Sequence, residues 1–291
     1  MNVLVQRRSI SHTSAAGART LNEVGKYLLL MVLLMVFIGP FLWLLSTALK
    51  QTTELGALPI HFWPTQPQWG NFAQAFTTVK FGPYAANSLI LSTLSALLTT
   101  FSSAIVGFGF ARLRGPGKRW LFLVMLSTMM LPQLVVLIPT YVLFARLSLV
   151  DTYWPWVLWG LASSPFIAFL FRQSFSSIPV ELEEAAIIDG CGYGRIFWQI
   201  FLPLSIPVIA TSLIFTFTWT WGDYITPSLL LSQDNTTLSV AMASGYVDPH
   251  GVALTNILAA GSIMYILPVL IIFFFAQRSF VKGIVTTGLK G

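Results

Sequence analysis

Six long apolar runs limit what this chain can fold into more than any other feature of its sequence. A run of roughly 20 apolar residues crosses the hydrocarbon core of a bilayer as a helix. Such runs lie at about residues 27–49, 84–111, 120–143, 154–172, 204–231 and 256–277. The sequence lacks the alternation of a membrane β-barrel, and backbone groups in lipid must then be satisfied within each helix. We therefore predict an all-α integral membrane protein with six transmembrane helices.

The composition excludes an ordinary soluble fold. Hydrophobic residues make up 55% of the 291 positions and charged residues only 9%, whereas globular proteins carry about a quarter charged residues. The net charge of +6 is then explained by basic residues at membrane edges, and no nucleic-acid partner is expected. One cysteine, Cys191, and three scattered histidines, His12, His61 and His250, predict no disulfide and no metal site.

The distribution of basic residues predicts the orientation. With the N-terminus inside, 13 of the 16 lysines and arginines fall in cytoplasmic segments and three in outer ones, as the positive-inside rule requires. The domains are then a cytoplasmic segment 1–26, a transmembrane domain 27–277 and a cytoplasmic tail 278–291. The connection 173–203 is also placed in the cytoplasm, where ATP is available.

This central connection reads as a helix, a tight turn and a second helix. Pro179 suits a first helical turn, and acids follow it where they complement the helix dipole. Gly190 ends the first helix, and a second one starts near Tyr193. Such a small rigid element suits insertion into a cleft on a soluble partner, although an ordinary amphipathic connector fits the residue types equally well.

The spacing within the connection is more specific. It reads E-A-A, three residues, G, nine residues, I-x-L-P, formed by Glu184, Ala185, Ala186, Gly190, Ile200, Leu202 and Pro203. This pattern resembles the EAA loop of permease subunits of ABC-type importers. From the first span to the last residue the chain also resembles the MalG-type carbohydrate branch, through Ala111-Arg112-Leu113-Arg114, Asp151-Thr152-Tyr153-Trp154, Arg172-Gln173 and the Lys290-Gly291 ending. It has Gly222 where that branch usually has asparagine.

The resemblance implies the type I (MetI-like) permease fold and a bacterial or archaeal cytoplasmic membrane. It implies a second homologous permease, two ATPase subunits, an extracytoplasmic binding protein and a di- or oligosaccharide-like solute. The EAA residues would couple to the ATPases, and Gly288, Lys290 and Gly291 of the tail would also reach them. No Walker A motif is present, so the chain is not expected to be an enzyme or to bind a cofactor, with ATP and Mg bound by the partner ATPase.

Candidates for the solute path come from polar and aromatic residues within spans. A charge inside a span costs about 3 kcal/mol on insertion scales, which makes Asp223 the foremost candidate. Trp219, Trp221 and Tyr224 beside it offer faces for sugar rings, and Gln133 is a weaker candidate. The alternative for Asp223 is a structural role, in which it pairs with a neighbouring helix near the outer membrane edge.

Other residues are expected to serve helix packing. Gly107 and Gly109 are predicted as helix-contact points, and nearby serines and threonines are predicted to hydrogen-bond within or between helices. The phenylalanines are predicted to face lipid for the most part. Residues 50–83 are predicted to contain a short helix in the membrane interface.

Three other functions remain as alternatives. The same importer type could carry glycerol-3-phosphate or another polyol-type solute, although a phosphate would favour arginine or lysine in the path. A stand-alone secondary carrier would show inverted repeats and several intramembrane charges. A membrane enzyme would need acid, base or metal groups that converge near an interface.

Overall fold

Helices form almost all of the regular structure in the computed structural model, which describes residues 12–59, 61–248 and 250–288, with side chains described between 23 and 275. No strand occurs within these ranges, which agrees with the predicted all-α fold. The helices are α1 (His12–Ala48), α2 (Gly70–Thr78), α3 (Phe81–Arg112), α4 (Lys118–Ser127), α5 (Gln133–Arg146), α6 (Trp154–Leu161), α7 (Pro165–Ser177), α8 (Val180–Ile188), α9 (Tyr193–Ile196), α10 (Leu202–Leu204), α11 (Ile206–Gly222), α12 (Ile225–Leu230), α13 (Leu238–Gly245) and α14 (Thr255–Gly288).

Two of the six predicted spans are bent pairs of helices. Among the described residues, four helical segments are long and apolar enough to cross a membrane, and the number reaches six if each of two bent helix pairs counts as one span. The third span bends by 99° between Met130 and Gln133, because Pro132 has no N–H to continue the helix. The segment that leads into the fifth span bends by 79° before Ile206, between Pro203 and Pro207. The fifth span then ends at Gly222, so the prediction of one helix over 204–231 is wrong.

Helix α3 is the centre of the bundle and packs against α6, α7 and α11. Gly107 makes its contact with α7 possible, since a Cβ there would lie 2.5 Å from the Cβ of Phe171. At Gly109 no atom lies within 4 Å of the equivalent position in the described chain. The prediction of a helix-contact glycine is therefore confirmed for Gly107 and wrong for Gly109.

A cluster of buried phenylalanines fills the end of the bundle beneath α8 and α9. Phe171, Phe175 and Phe201 are fully buried, and Phe108 and Phe197 are nearly so. Their ring centroids lie 5.1–6.3 Å apart, the spacing of favourable aromatic pairs. For these five, the prediction of lipid-facing side chains is wrong, because the connection folds back over them.

The opposite end of the bundle is closed by α2 and the loops beside it. The short helix predicted within residues 50–83 is present as α2. The Asn71 side chain donates hydrogen bonds to the carbonyls of Ala48 (2.8 Å) and Lys50 (3.0 Å). Tyr246 donates to the carbonyl of Ala75 at 2.9 Å. These bonds tie α1, α2 and the segment before α14 into one outer layer.

Candidate functional site

The connection between the fourth and fifth spans folds as the predicted helix–turn–helix, which we call the coupling loop (residues 173–203) after the role that the sequence resemblance implies. Helix α8 ends at Ile188, and Gly190 reverses the chain with φ of +79°, a conformation that glycine adopts at no steric cost. The N–H of Gly190 donates to the Ile187 carbonyl at 3.0 Å, and that of Cys191 to the Ala186 carbonyl at 2.9 Å. These bonds close the end of α8 and fix the turn.

The seven EAA residues divide into an outward set and a supporting set. Glu184, Ala185, Gly190 and Pro203 are exposed. The supporting set consists of Ala186, which is buried, and Ile200 and Leu202, which are partly buried. All three pack against the phenylalanine cluster. The loop therefore leaves the outward set accessible to a partner while the supporting set is anchored in the bundle.

Arg112 at the end of α3 holds the coupling loop in place. Its Nη1 lies 3.5 Å from Oε2 of Glu183 in α8, and both side chains are only 10% exposed. Its Nη2 donates to the carbonyl of Phe175 at 2.7 Å and to that of Ile178. The guanidinium also lies over the Phe201 ring, 4.8 Å from its centroid. One side chain thus joins α3, the end of α7, the first turn of α8 and the second half of the loop.

A polar cavity of about 640 Å³ lies in the bundle where three spans are interrupted. It opens beside the start of α5 after Pro132, the break at 162–164 between α6 and α7, and the break at 223–224 between α11 and α12. Ser163 in the second break has φ of +70°, which is uncommon for a non-glycine residue. Non-helical backbone at membrane depth is tolerated where it lines such a cavity.

The cavity lining combines hydroxyl groups with aromatic faces. Nine serines and threonines and three tryptophans contribute to it, and Asp223 carries the only formal charge among the lining residues. Ser95 of α3 is 6% exposed, and its hydroxyl has no hydrogen-bond partner among the described residues. Thr99, Gln133, Trp156, Trp159 and Thr220 also line the cavity.

The predicted path residues separate into two groups. Gln133, Trp219 and Asp223 line the cavity. Trp221 does not, because two residues later on a helix the side chain points to another face. It is 2% exposed, stacks on Tyr265 with centroids 5.3 Å apart and donates to the Tyr265 carbonyl at 3.1 Å. Tyr224 also lies outside the lining and is 47% exposed.

Asp223 has a structural task as well as a place at the cavity. Its Oδ1 accepts a hydrogen bond from the N–H of Thr226 at 3.1 Å, which caps the start of α12. Ser239 donates to the Asp223 carbonyl at 2.7 Å. Asp223 therefore lines the cavity and also stabilises the break between α11 and α12.

Several functional residues were missed by sequence reasoning. In the sequence, Arg112 is only part of a family motif, and Glu183 is one of the acids that complement the dipole of its helix. Their pairing could not be predicted, because the two residues are 71 positions apart. A signal for the cavity did exist, since hydroxyl residues recur every three or four positions along α3 at Ser88, Ser92, Ser95, Thr99 and Ser102, and all are buried. Two of the predicted interhelical bonds are confirmed: the hydroxyls of Thr100 and Ser212 share a hydrogen bond at 2.7 Å, and Ser102 donates to the Gly160 carbonyl at 2.6 Å.

Two predictions concern other parts of the chain. Within the described side chains, no group of three or more His, Cys, Asp or Glu residues is placed to hold a metal ion. Of the tail residues, Gly288 is the last residue of α14, while Lys290 and Gly291 lie outside the described residues.

Interrupted spans around a polar cavity, with a helix–turn–helix anchored at one end of the bundle, define a membrane-embedded transport subunit. Residues 100–285 match the family described as the binding-protein-dependent transport system inner membrane component, and the chain belongs to that family. It is a permease subunit of an ABC-type importer, a machine that also needs an ATPase and a binding protein, and ATP hydrolysis falls to the separate ATPase.

Relatives with known roles cover almost the full chain. The arabinooligosaccharides transport system permease protein AraQ of Halalkalibacterium halodurans is 33% identical over 88% of this chain and 92% of its own. The maltodextrin transport system permease protein MdxG of Bacillus subtilis is 30% identical over 96% and 100%, respectively. A chain from a crystal structure of a bacterial ABC transporter, involved in the import of the acidic polysaccharide alginate, aligns with a TM-score of 0.79 at 19% identity. It covers 96% of this chain and all of its own length, which confirms the permease fold.

Proposed function

We propose that this permease moves a neutral di- or oligosaccharide through the polar cavity. The observation that supports this proposal is the cavity lining, in which hydroxyl groups and tryptophan faces surround a space of about 640 Å³. Hydroxyls exchange hydrogen bonds with sugar hydroxyls, tryptophan packs on the apolar face of a sugar ring, and the volume lies within the range of about 300–1,000 Å³ for small-molecule sites.

The charge of the lining favours a neutral solute over a phosphate-bearing polyol. A phosphate group is recognised by arginine or lysine, and no such residue is among those that line the cavity. The relatives named above carry arabinooligosaccharides and maltodextrin, and a lactose permease of Rhizobium radiobacter is 29% identical over 91% of this chain. These names support the carbohydrate class for this chain too.

The rest of the assembly follows from the coupling loop. One such loop on this chain and one on a second homologous permease would each dock on one of two ATPase subunits, which bind ATP and Mg. An extracytoplasmic binding protein would deliver the solute at the other end of the bundle. This arrangement places both termini and the coupling loop in the cytoplasm, as the distribution of basic residues favours.

The cavity assignment is tested with a matched pair of aromatic truncations on α11. Trp219→Ala removes a ring from the cavity, whereas Phe215→Ala removes an exposed ring one turn earlier that does not line it. In the reconstituted importer we expect Trp219→Ala to raise the KM for sugar uptake about tenfold, the equivalent of 1.4 kcal/mol, with basal ATPase activity unchanged. Equal uptake by both variants would contradict a solute path through this cavity.

The coupling role is tested separately at the exposed edge of the loop. Glu184→Lys reverses an outward charge, and Gly190→Val forces a side chain into a left-handed conformation that costs roughly 1–2 kcal/mol. Both should abolish uptake while the solute still binds the binding protein. Gly194→Ala is the control, because a Cβ there meets no atom within 4 Å and its φ is not left-handed. Normal uptake by Glu184→Lys and Gly190→Val would refute the coupling role.

A further inference from the structure

A second cavity, which we call the basic pocket, lies beside the start of α4 at the same end of the bundle as the coupling loop. It encloses about 530 Å³ and is lined by Phe110, Gly115, Gly117, Lys118, Arg119, Trp120, Phe122 and Arg172. Three of these eight residues are cations and none is an acid. The transport function described above makes no use of it.

The three cations of the basic pocket come from two different helices and have no acidic counterpart. Lys118 and Arg119 begin α4, whereas Arg172 belongs to α7. The ion pairs found among the described side chains, Lys26–Glu23 and Arg112–Glu183, involve none of them. Like charges so arranged repel one another, and their close placement is stabilised by an anion between them.

The walls of the pocket hold the charges in place and leave room for a ligand. The Arg172 guanidinium lies 3.9 Å from the centroid of the Phe122 ring, a cation–π contact that holds the charge at the pocket wall. Lys118 donates to the Leu113 carbonyl at 2.6 Å. Gly115 and Gly117 have no atom within 4 Å of a would-be Cβ, so the backbone can approach a ligand closely.

The surface of α4 next to the pocket is apolar and exposed. Trp120 is 73% exposed, Leu121 62% and Val124 60%. These residues lie on one side of α4, in a helix that belongs to a membrane span, and Trp120 also lines the pocket. Tryptophan is enriched at the headgroup level of membranes, and the apolar strip beneath it can lie along an acyl chain.

We propose that the basic pocket binds the phosphate of an anionic phospholipid, with the acyl chain along Trp120, Leu121 and Val124. Basic pockets between membrane helices on the cytoplasmic side are suited to anionic headgroups. A free phosphate would meet the same cations but would leave the apolar strip uncovered, and therefore the lipid is the favoured source of the phosphate. This proposal does not depend on the identity of the transported solute.

The test compares lipid binding to the full-length chain, purified in mild detergent, by native mass spectrometry. Phosphatidylglycerol and phosphatidylcholine with the same acyl chains are added in equal amounts, and the ratio of bound lipids is read. The wild-type chain should favour phosphatidylglycerol. The double variant Lys118→Gln with Arg119→Gln should lose about tenfold or more of that preference, as expected for two cations at a membrane surface.

A matched control separates a defined pocket from diffuse basic charge. The double variant Arg114→Gln with Arg195→Gln removes two charges at the same end of the bundle from exposed residues outside the pocket, and it should keep the preference. Arg172→Lys, which retains the charge, should also keep most of it and so guards against a folding defect. An equal loss in the control, or no loss in the Lys118 and Arg119 variant, would overturn the proposal.

A final arm distinguishes a lipid from a free phosphate. Millimolar inorganic phosphate should leave bound phosphatidylglycerol in place, because it lacks the acyl contacts. Displacement of the lipid by inorganic phosphate would refute the lipid assignment in favour of a soluble phosphate ligand. Trp120→Ala should weaken lipid retention without changing the response to inorganic phosphate, and unchanged retention would count against the acyl-chain contact.

Discussion

The ion pair between Arg112 and Glu183 should determine how firmly the coupling loop is held against the bundle. At the observed 3.5 Å, two unit charges attract by about 4–5 kcal/mol at an effective dielectric constant of about 20. Desolvation of both groups offsets much of this attraction. The pair is therefore expected to add little net stability over an apolar pair, while the loss of one partner alone is expected to be costly.

Removal of the arginine should have the larger effect. Arg112→Ala leaves the Glu183 carboxylate buried without its cation, and the Phe175 and Ile178 carbonyls lose their donor. Loss of one partner of a buried pair costs about 3–5 kcal/mol. Glu183→Gln keeps both carbonyl bonds and should cost only about 1–2 kcal/mol. The double variant Arg112→Met with Glu183→Leu should recover much of the loss.

The assay follows both stability and coupling. Unfolding of the purified chain gives the free energy of each variant, and uptake with ATPase activity in the reconstituted importer gives the coupling. We expect a coupling energy of 1–3 kcal/mol from the double-mutant cycle and uptake that falls in step with stability. Arg114→Ala is the control, since this neighbouring arginine is exposed. Wild-type stability and uptake in Arg112→Ala would refute the anchoring role.

Two further predictions concern packing and pH. Gly107→Ala should destabilise the bundle by about 1–3 kcal/mol, because its Cβ would lie 2.5 Å from the Phe171 Cβ. Gly109→Ala meets open space and should be neutral, and equal unfolding midpoints for the two variants would contradict the α3–α7 contact. The Asp151 carboxylate accepts hydrogen bonds from the Ser232 amide and its neighbours, which lower its pKa below the ordinary 3.8. A lowered pKa in the folded state stabilises the protein above pH 3.8 and loses this effect as the pH falls through the folded value. The protection of the Ser232 amide against hydrogen exchange, measured relative to its intrinsic rate at each pH, should therefore fall in acid, and Asp151→Asn should remove that pH dependence.

The elements that sequence reasoning located well are those set by local chemistry. Apolar length defines a candidate span whatever its neighbours are, and therefore the order of the six candidate spans could be read directly, two of which are bent helix pairs. The turn at Gly190 and the end of α8 were also predictable, because a glycine at that place permits the left-handed conformation that the structure shows. The spacing of the EAA pattern was enough to indicate the family.

The errors arose where contacts between distant residues decide the outcome. A continuous fifth span over 204–231 looked plausible because its composition is apolar, but the proline-rich start and the break at Asp223 interrupt the helix. Hydropathy does not show which way a side chain points, so the five phenylalanines are predicted to face lipid. They are buried because the coupling loop folds back over them. Trp221 and Trp219 are alike in sequence, yet a rotation of two residues on α11 sends one into the core and the other to the cavity.

The sequence by itself determined that this chain is an all-helical permease with a helix–turn–helix before its fifth span, because span length and motif spacing are local properties of the chain. The tertiary structure alone decided what lines the cavity, which residue holds the loop and where unpaired cations converge. Those outcomes join α3 to α6, α7, α8 and α11 across many tens of residues, and the sidedness of each helix is set by its packing partners rather than by its own composition.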